Sequence, residues 1–255
     1  MQKYPSTPPF SLKGKKALIA GASSGIGLGA AIALAEYGAK VFLAARNIEK
    51  LKDVKSYIET KGSSAEIVSL DLTRTSETSE KIEKLGPFDI LLNSAGQARH
   101  TKATETVPAD FDAVINVNLK GAYFLTQAVA KGLIIAQKPG SLINISSQMA
   151  HVGGIDRAVY CASKFAVEGF TKAMALEFAK YKIRVNTICP TFILTPLTQK
   201  TFDDADKRNW IIEKIKLGRV GTIEDIMGAV VYLSSDASNL VTGSSMMVDG
   251  GWTID

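Results

Sequence analysis

A tyrosine and a lysine that lie four residues apart are well suited to acid–base chemistry. Tyr160 and Lys164 fall in a segment with the pattern of a helix, so both side chains project from one face of it. A phenol with a pKa of about 10 is a poor acid–base catalyst at neutral pH, but a neighbouring ammonium favours the phenolate and lowers that pKa. The same spacing is common where a tyrosine is packed and a lysine is solvated, so the pair predicts catalysis only in company with other groups.

Two further polar residues could take part in catalysis together with Tyr160 and Lys164. Ser147 follows the predicted strand Ser141–Ile145 and could donate a hydrogen bond to a substrate carbonyl while Tyr160 gives up or takes a proton. Asn118 stands in an apolar helix, where an unsatisfied buried amide costs about 1–3 kcal/mol and therefore needs partners. The alternatives are a turn or helix cap at Ser147 and a purely structural hydrogen bond at Asn118.

A glycine-rich loop follows the first predicted strand, Lys16–Ala20, with the spacing Gly-x-x-x-Gly-x-Gly. Glycines let the backbone turn tightly and approach a pyrophosphate, and the N-terminus of the following helix offers free N–H groups and partial positive charge. The alternative is a glycine-rich turn without a ligand. The residues that we expect to contact a dinucleotide here are Gly21, Ser23, Ser24, Gly25, Ile26 and Gly27.

The end of the second predicted strand, Lys40–Ala44, bears on the choice of cofactor. Folds that bind NAD usually place an acidic residue here to hold the ribose 2′-hydroxyl. The strand is instead followed by Ala45, Arg46 and Asn47, and a guanidinium can pair with a 2′-phosphate. We therefore predict cofactor contacts from Arg46 and Asn47 and a preference for NADP(H), with NAD(H) possible. The alternative is an Arg46 that is solvated or stacked on adenine.

Short apolar runs alternate with longer helical patterns along the chain, and this order predicts the elements that position these residues. Strands rich in Val, Ile and Leu without alternation indicate burial on both faces. We predict an α/β fold, a single-domain Rossmann-like doubly wound parallel sheet of about seven strands with helices on both faces. The predicted strands are Lys16–Ala20, Lys40–Ala44, Ala65–Ser69, Asp89–Asn93, Ser141–Ile145, Arg184–Ile188 and Ser245–Asp249. The predicted helices include Ile48–Thr60, Ala109–Ala136, Val159–Ala179 and Ile223–Ser234.

The composition of the chain limits the class of protein, its partners and its location. The 255 residues are 46% hydrophobic and 22% charged, as in globular proteins, and 2 cysteines are too few for a disulfide scaffold. The uncharged stretch Ala17–Ala35 could span a bilayer, but its glycines and serines favour a strand, a loop and a helix. The net charge of +5 comes with scattered lysines, so neither nucleic acid nor membrane is an expected partner. We predict a flexible tail over residues 1–11, one domain over residues 12–255 and a cytoplasmic location.

Separated motifs occur in a fixed order: the glycine loop, Asp71-Leu72, Asn93-Ser94-Ala95-Gly96, Tyr160-x-x-x-Lys164, Cys189-Pro190-Thr191 and Asp249-Gly250-Gly251. Together they resemble the short-chain dehydrogenase/reductase family, in its classical branch, over essentially the whole chain from Leu12. Three positions depart from the family pattern. Ala20 replaces the usual Thr, Ser94 the second Asn of Asn-Asn-Ala-Gly, and Thr191 the Gly of a Pro-Gly motif.

The resemblance implies hydride transfer between a nicotinamide and an alcohol or ketone, with no metal required. It implies that Tyr160 is the general acid/base, while Ser147 polarises the carbonyl. It also implies that Lys164 lowers the tyrosine pKa and holds the nicotinamide ribose, and that Asn118 positions a water in a proton relay. The further cofactor contacts that it implies are Asp71, Leu72, Asn93, Ala95, Gly96, Tyr160, Lys164, Pro190, Ile193 and Thr195. The family further implies a homotetramer, built through the two longest predicted helices.

Three segments should frame a substrate pocket: Gln97–Thr104, Gln148–Arg157 and Thr191–Gly218. The first two contain Arg and His residues, which favours a small hydroxylated or acidic substrate, a sugar, polyol or keto acid, over a steroid. The third mixes apolar and charged residues, which suits a lid or, equally, a permanently packed surface helix. The substrate contacts that we expect are Gln97, Gln148, His151 and Trp210.

These features predict an NADP(H)-preferring enzyme that interconverts a secondary alcohol and a ketone on such a small molecule. One alternative is a 3-oxoacyl-[acyl-carrier-protein] reductase, since a basic surface suits an acidic carrier, although no compact arginine cluster supports it. Another is a non-catalytic nicotinamide-binding sensor, against which the complete set Asn118, Ser147, Tyr160 and Lys164 speaks.

Overall fold

Seven parallel strands form the sheet in the computed structural model, which describes residues 4–254. Their bounds are β1 (Lys16–Ala20), β2 (Lys40–Ala45), β3 (Ala65–Ser69), β4 (Ile90–Asn93), β5 (Gly140–Ile145), β6 (Ile183–Pro190) and β7 (Ser245–Val248). They lie in the order β3-β2-β1-β4-β5-β6-β7, so the winding reverses between β1 and β4. The predicted fold class is confirmed, and ligands in such sheets bind beyond the carboxyl ends of the strands at this reversal.

The described part of the chain has nine α-helices, which cover both faces of the sheet. Their bounds are α1 (Gly25–Glu36), α2 (Ile48–Thr60), α3 (Thr75–Leu85), α4 (Pro108–Ile115), α5 (Ala122–Ile135), α6 (Ala158–Phe178), α7 (Gln199–Asp203), α8 (Ala205–Lys214) and α9 (Glu224–Ser234). On one face Leu34 of α1 and Val230 of α9 belong to one buried cluster. On the other, Val129 of α5 and Met174 of α6 belong to a second.

The central strands are buried on both faces. Ile19 of β1 lies in the first cluster and its neighbour Leu18 in the second, and both are 0% exposed. Because successive side chains of a strand point to opposite faces, two cores require an apolar run without alternation. The edge strand β3 departs from this pattern, since Glu66 and Ser69 are exposed.

One predicted helix is wrong. In place of a continuous helix over Ala109–Ala136, α4 is followed by a π-helical segment, Asn116–Gly121, before α5 begins. Such wider turns are frequent at functional sites. Apolar periodicity misses the segment because one extra residue in a turn leaves the apolar face continuous. The other predicted strands and helices agree with the structure to within two residues, while α3 was not among the predicted helices.

The first described residues lie outside the packed layers. Residues 4–11 are exposed and form neither helix nor strand, and Leu12 is the first buried residue of the described chain. Residues 1–3 of the predicted tail and residue 255 of the predicted domain lie outside the described residues. Within residues 4–254, no helix combines the length and the apolar character needed to cross a membrane.

Candidate active site

A cavity of about 760 Å³ opens at the carboxyl ends of the central strands. It lies where the winding of the sheet reverses, between β1 and β4. Most of the residues singled out in the sequence line it. They are Gly21, Ser23, Ser24, Gly25, Ile26, Arg46, Asn47, Asp71, Leu72, Ala95, Gly96, Gln97, Ser147, Tyr160, Lys164, Pro190, Ile193 and Thr195. Six others do not line it: Gly27, Asn93, Asn118, Gln148, His151 and Trp210.

The glycine loop has a shape that larger residues would not allow. Gly21 has a φ of +81°, and a Cβ there would lie 2.8 Å from the backbone nitrogen of Ala95. Gly27 is packed inside the turn, where a Cβ would collide with the carbonyl oxygen of Gly21. Gly27 therefore shapes the loop without reaching the cavity, and the first two residues of α1 line the cavity directly.

A basic and an acidic residue lie at the β2 and β3 side of the cavity. Arg46 is exposed and makes no hydrogen bond or ion pair with another described residue. Asp71 accepts hydrogen bonds from the N–H and the hydroxyl of Thr73, at 3.0 and 2.8 Å. Burial raises the pKa of Asp71, but these bonds and the nearby Arg46 hold it below its ordinary value. Asp71 is therefore a carboxylate acceptor beside an unpaired guanidinium.

Two asparagines position the strand ends from behind the cavity. Asn93 donates to Asn144 Oδ1 at 3.1 Å and accepts from the N–H of Ala95 at 3.2 Å. Asn118, in the π-helical segment, accepts from the N–H of Gln97 and donates to its carbonyl, both at 2.9 Å. The amide of Asn118 is therefore satisfied by the loop after β4, and it fixes Gln97 in the cavity wall.

Three of the four predicted catalytic residues meet at one end of the cavity. Ser147 follows β5, and its hydroxyl interacts with the hydroxyl of Tyr160 on the first turn of α6. Lys164 Nζ donates to the carbonyl of Ile145 at 2.8 Å and lies 5.7 Å from the centroid of the Tyr160 ring. A carbonyl oxygen near the two hydroxyls could be hydrogen-bonded by one and protonated by the other.

Burial favours the neutral forms of both the phenol and the amine. It raises the pKa of Tyr160, and the Ser147 hydroxyl and the Arg157 guanidinium oppose it without overcoming it. It also lowers the pKa of Lys164 to about 8. The structure does not show the predicted acidification of Tyr160 by Lys164. Arg157 is a cation that lowers the pKa of the phenol, while the ammonium of Lys164 donates to a backbone carbonyl.

Arg157 and His100 flank Tyr160, and no motif in the sequence gives either of them an individual role. Arg157 hydrogen-bonds to His100 Nε2 and stacks over Phe192, 5.2 Å from its ring centroid. The His100 ring meets the Tyr160 ring edge-on, with centroids 5.9 Å apart. No spacing rule could have found this contact, since 57 residues separate the arginine from the histidine.

A buried carboxylate lies behind the same face of α6, and it too was missed. Glu168 accepts hydrogen bonds from Thr187 at 3.0 Å and from the Cys189 thiol at 3.4 Å. Although burial raises the pKa of Glu168, hydrogen bonds hold it below its ordinary value. His151 Nε2 lies 3.5 Å from Cys189 Sγ, so this predicted substrate contact belongs to the Glu168 cluster and not to the cavity wall. The sequence signal that could have indicated this cluster is the charged residue Glu168, one helical turn after Lys164.

Two other predicted substrate contacts do not reach the cavity wall. Trp210 meets Trp252 edge-on with ring centroids 5.6 Å apart, and Gln148 is only 2% exposed. In the same region Phe202 and Ile211 place α7 and α8 against a buried apolar cluster. The amphipathic pattern suits a lid and a packed surface helix equally, so it does not distinguish contact with a substrate from contact with the protein. Closure of this segment as a lid remains a prediction.

The reversal point of the sheet, the glycine loop above it and the meeting of Ser147, Tyr160 and Lys164 define a dinucleotide-binding oxidoreductase. A family model described as enoyl-(acyl carrier protein) reductase matches residues 21–253. The chain belongs to the short-chain dehydrogenase/reductase family.

Relatives within the family match almost the whole chain. A gluconate 5-dehydrogenase from Gluconobacter oxydans (strain 621H) is 36% identical over 96% of this chain and 97% of its own length. An L-xylulose reductase from Mus musculus is 36% identical over 95% of this chain and 98% of its own. The crystal structure of a gluconate 5-dehydrogenase from Burkholderia cenocepacia J2315, in complex with NADP and tartrate, has a TM-score of 0.93. It is 34% identical and covers 96% of this chain and 98% of its own.

Proposed function

We propose that this protein is an NADP(H)-dependent oxidoreductase that interconverts a secondary alcohol and a ketone on a small polar, sugar-type substrate. The observation that carries the proposal is a single cavity with Arg46 on its β2 side and Ser147, Tyr160 and Lys164 on its β5 side. β2 and β5 are three strand spacings apart, or about 14 Å at about 4.8 Å per spacing. A dinucleotide is long enough to span that distance.

The residues present fit NADP(H). Gly21 and the N-terminus of α1 would hold the pyrophosphate, because only a residue without a Cβ fits the loop at Gly21. The unpaired guanidinium of Arg46 would pair with the 2′-phosphate. Asp71, an ionised acceptor, would bind a donor on the adenine. The Burkholderia relative was crystallised with NADP, in agreement with this choice of cofactor.

The nicotinamide, when bound, supplies or accepts the hydride. In the reducing direction Tyr160, as a neutral phenol, donates its proton to the substrate carbonyl oxygen, and Ser147 donates a hydrogen bond to the same oxygen. Lys164 contributes a buried donor beside them, anchored on the carbonyl of Ile145. Asn118 holds the loop after β4 in place, and its implied part in a proton relay stays a prediction.

The relatives support a sugar-type substrate. Their names cover both an acid, gluconate, and a neutral ketose, L-xylulose. Gln97 is the predicted substrate contact that lines the cavity, and its amide suits hydroxyl groups of either kind.

Reduction of a panel of ketoses, keto acids and acetoacetyl thioesters with NADPH tests the proposal. Tyr160→Phe should lower kcat by at least about 100-fold, since it removes the proton donor and leaves the ring. Tyr57→Phe, at a half-exposed tyrosine on α2 away from the cavity, is the matched control and should retain wild-type kcat. Equal activity of Tyr160→Phe and wild type would contradict the mechanism. Preferential turnover of the thioesters would favour an acyl-carrier-protein reductase instead.

We further propose a cytoplasmic homotetramer. Phe165 and Leu176 on α6 are 51% and 82% exposed, more apolar surface than a helix packed on a sheet requires. Both cysteines are free and buried, in keeping with a reducing compartment. Light scattering should give four times the 27.3 kDa chain mass, and a monomer mass would refute the assembly.

A further inference from the structure

Three side chains of metal-ligating types meet in the Glu168 cluster, which consists of His151, Glu168 and Cys189. Glu168 lies on α6, Cys189 on β6, and His151 directly after the turn Gln148–Ala150. The imidazole nitrogen, the thiol sulfur and a carboxylate oxygen all lie within 4.8 Å of one another. Within residues 4–254 no other three such side chains come together in this way. None of the three lines the cavity, and the proposed reaction uses none of them.

The distances within the Glu168 cluster are those of ligands around one tetrahedral ion. His151 Nε2 lies 3.5 Å from Cys189 Sγ, and this sulfur lies 3.4 Å from Glu168 Oε1. Zinc binds sulfur at about 2.3 Å and nitrogen or oxygen at about 2.0–2.2 Å, so tetrahedral angles place the sulfur about 3.5 Å from either of them. His151 is the exposed member of the cluster, so an ion can enter from solvent past its ring.

The carboxylate of Glu168 is oriented with one oxygen toward the other two ligands. Its Oε2 accepts hydrogen bonds from Thr187 at 3.0 Å and from Ser245, and it lies 3.8 Å from Lys172 Nζ. Its Oε1 accepts from the Cys189 thiol at 3.4 Å. Outer partners of this kind hold a ligating carboxylate in place, so Oε1 is available to an ion that replaces the thiol proton.

A fourth oxygen lies beside the same groups. Ser146 is 3% exposed, and its hydroxyl makes no hydrogen bond of normal geometry in the described structure. Burial raises the pKa of both Glu168 and Cys189, and the Ser146 hydroxyl is close enough to oppose this effect at each of them. An unsatisfied buried hydroxyl is costly, and coordination to an ion would satisfy it.

The same three residue types occur in nucleophilic catalysis, but the structure favours an ion. Cys189 is 0% exposed, and burial together with the charge of Glu168 raises the pKa of its thiol to about 12. A reactive cysteine needs a lowered pKa and access to a substrate. An ion needs room only between the three ligands, and a metal bound to sulfur deprotonates the thiol outright.

We propose that His151, Glu168 and Cys189 form a binding site for Zn²⁺ or a similar borderline divalent cation, with Ser146 or a water as the fourth ligand. One thiolate and one carboxylate neutralise the two charges of the ion, which favours it in a buried site. Sulfur and imidazole ligands select Zn²⁺ over Mg²⁺ and Ca²⁺, which prefer oxygen. Binding releases the thiol proton to solvent and changes no oxidation state.

The ion would join α6, β6 and the turn after Ser147. It would lie directly behind the cavity wall, since Ser146 lines the cavity. No step of the proposed hydride transfer passes through it, so the inference is independent of the proposed function.

Metal titrations of the full chain, treated with EDTA and free of a histidine tag, test the site. Co²⁺ should bind once per chain and show the visible absorption of a tetrahedral ion with a thiolate charge-transfer band. Zn²⁺ should displace it with a Kd of about 1 μM or lower, whereas Mg²⁺ should not displace it. Zn²⁺ should also raise the Tm, because it binds the folded chain.

His151→Ala is the decisive variant, because His151 is exposed and its replacement leaves the core intact. It should raise the Kd for Zn²⁺ at least about 100-fold, beyond the roughly 10- to 100-fold cost of losing an outer partner. Cys189→Ser should abolish the charge-transfer band. Cys161→Ser and His100→Ala are the matched controls, since both residues lie outside the cluster, and both should bind Zn²⁺ as wild type does.

Equal Kd values for wild type and His151→Ala, or a Co²⁺ complex without the charge-transfer band, would overturn the site. Loss of that band in Cys161→Ser, or binding of Zn²⁺ by wild type only at millimolar concentration, would overturn it as well. Cys189 is buried, so if Cys189→Ser fails to fold the decision rests on His151→Ala. These titrations use neither a ketone nor NADPH, so their result stands apart from the test of the proposed function.

Discussion

Replacing Arg46 by Gln should change the choice of cofactor without changing the catalytic step. Arg46 lines the cavity and has no described partner, so its guanidinium is available to a 2′-phosphate. Hydrogen bonds to charged groups contribute about 1.5–3 kcal/mol, and the exposure of Arg46 places it at the lower end through solvent and salt screening. At about 1.4 kcal/mol per tenfold, we expect the Kd for NADPH to rise about tenfold. The Kd for NADH, which has a hydroxyl at this position, should stay within about twofold.

Arg74 provides the matched control for this variant. Both arginines lower the pKa of Asp71, but Arg74 pairs with Glu77 at 3.2 Å and does not line the cavity. Nucleotide fluorescence titration of wild type, Arg46→Gln and Arg74→Gln at two salt concentrations separates the contributions. Arg46→Gln should weaken the salt dependence of NADPH binding, while Arg74→Gln should not. Tighter binding of NADH than of NADPH by wild type, or equal losses for both cofactors in Arg46→Gln, would refute the reasoning.

Two further predictions concern stability without nucleotide. The pKa of Lys164 is lowered to about 8 in the folded protein, so between about pH 8 and its ordinary value of 10.5 the unfolded chain binds more protons. The free energy of unfolding of wild type, measured relative to that of Lys164→Met, should therefore rise with pH by up to about 3 kcal/mol. Urea titrations over this pH range measure that difference. A difference that does not change with pH would contradict the burial argument. Gly27→Ala should lower the free energy of unfolding by about 1–3 kcal/mol because its Cβ collides with the Gly21 carbonyl. Gly228→Ala, on α9 with nothing within 4 Å of its Cβ, should be neutral or stabilising, and equal losses in both would count against the packing explanation.

Physical burial explains which elements were predictable. β1 was predicted with its observed bounds because both of its faces meet apolar cores, which leaves an uninterrupted apolar run. The π-helical segment Asn116–Gly121 was not, because a single extra residue in a turn does not disturb the apolar stripe. Helix α3 is not predicted from apolar periodicity because its exposed face is rich in Glu, Ser and Thr. Only Thr78 and Ile82 of this helix are buried.

The same distinction applies to the site. Tyr160 and Lys164 share one helix, and Ser147 follows a strand, so local spacing and sheet direction bring them to one edge. Local spacing does not report contacts between loops that are distant in sequence. Two contacts illustrate this: Arg157 hydrogen-bonds to His100, and the Trp210 ring meets the Trp252 ring. Both depend on how segments that are distant in sequence pack after the sheet has formed.

The ionisation of the site bears on the direction of the proposed reaction. Reduction of a ketone needs a protonated Tyr160, and burial keeps this phenol protonated at neutral pH, whereas alcohol oxidation needs it deprotonated and gains from higher pH. The Ser147 hydroxyl and the Arg157 guanidinium oppose this effect of burial on the pKa of Tyr160 without overcoming it. The ionisation of the described site therefore favours the reducing direction at neutral pH.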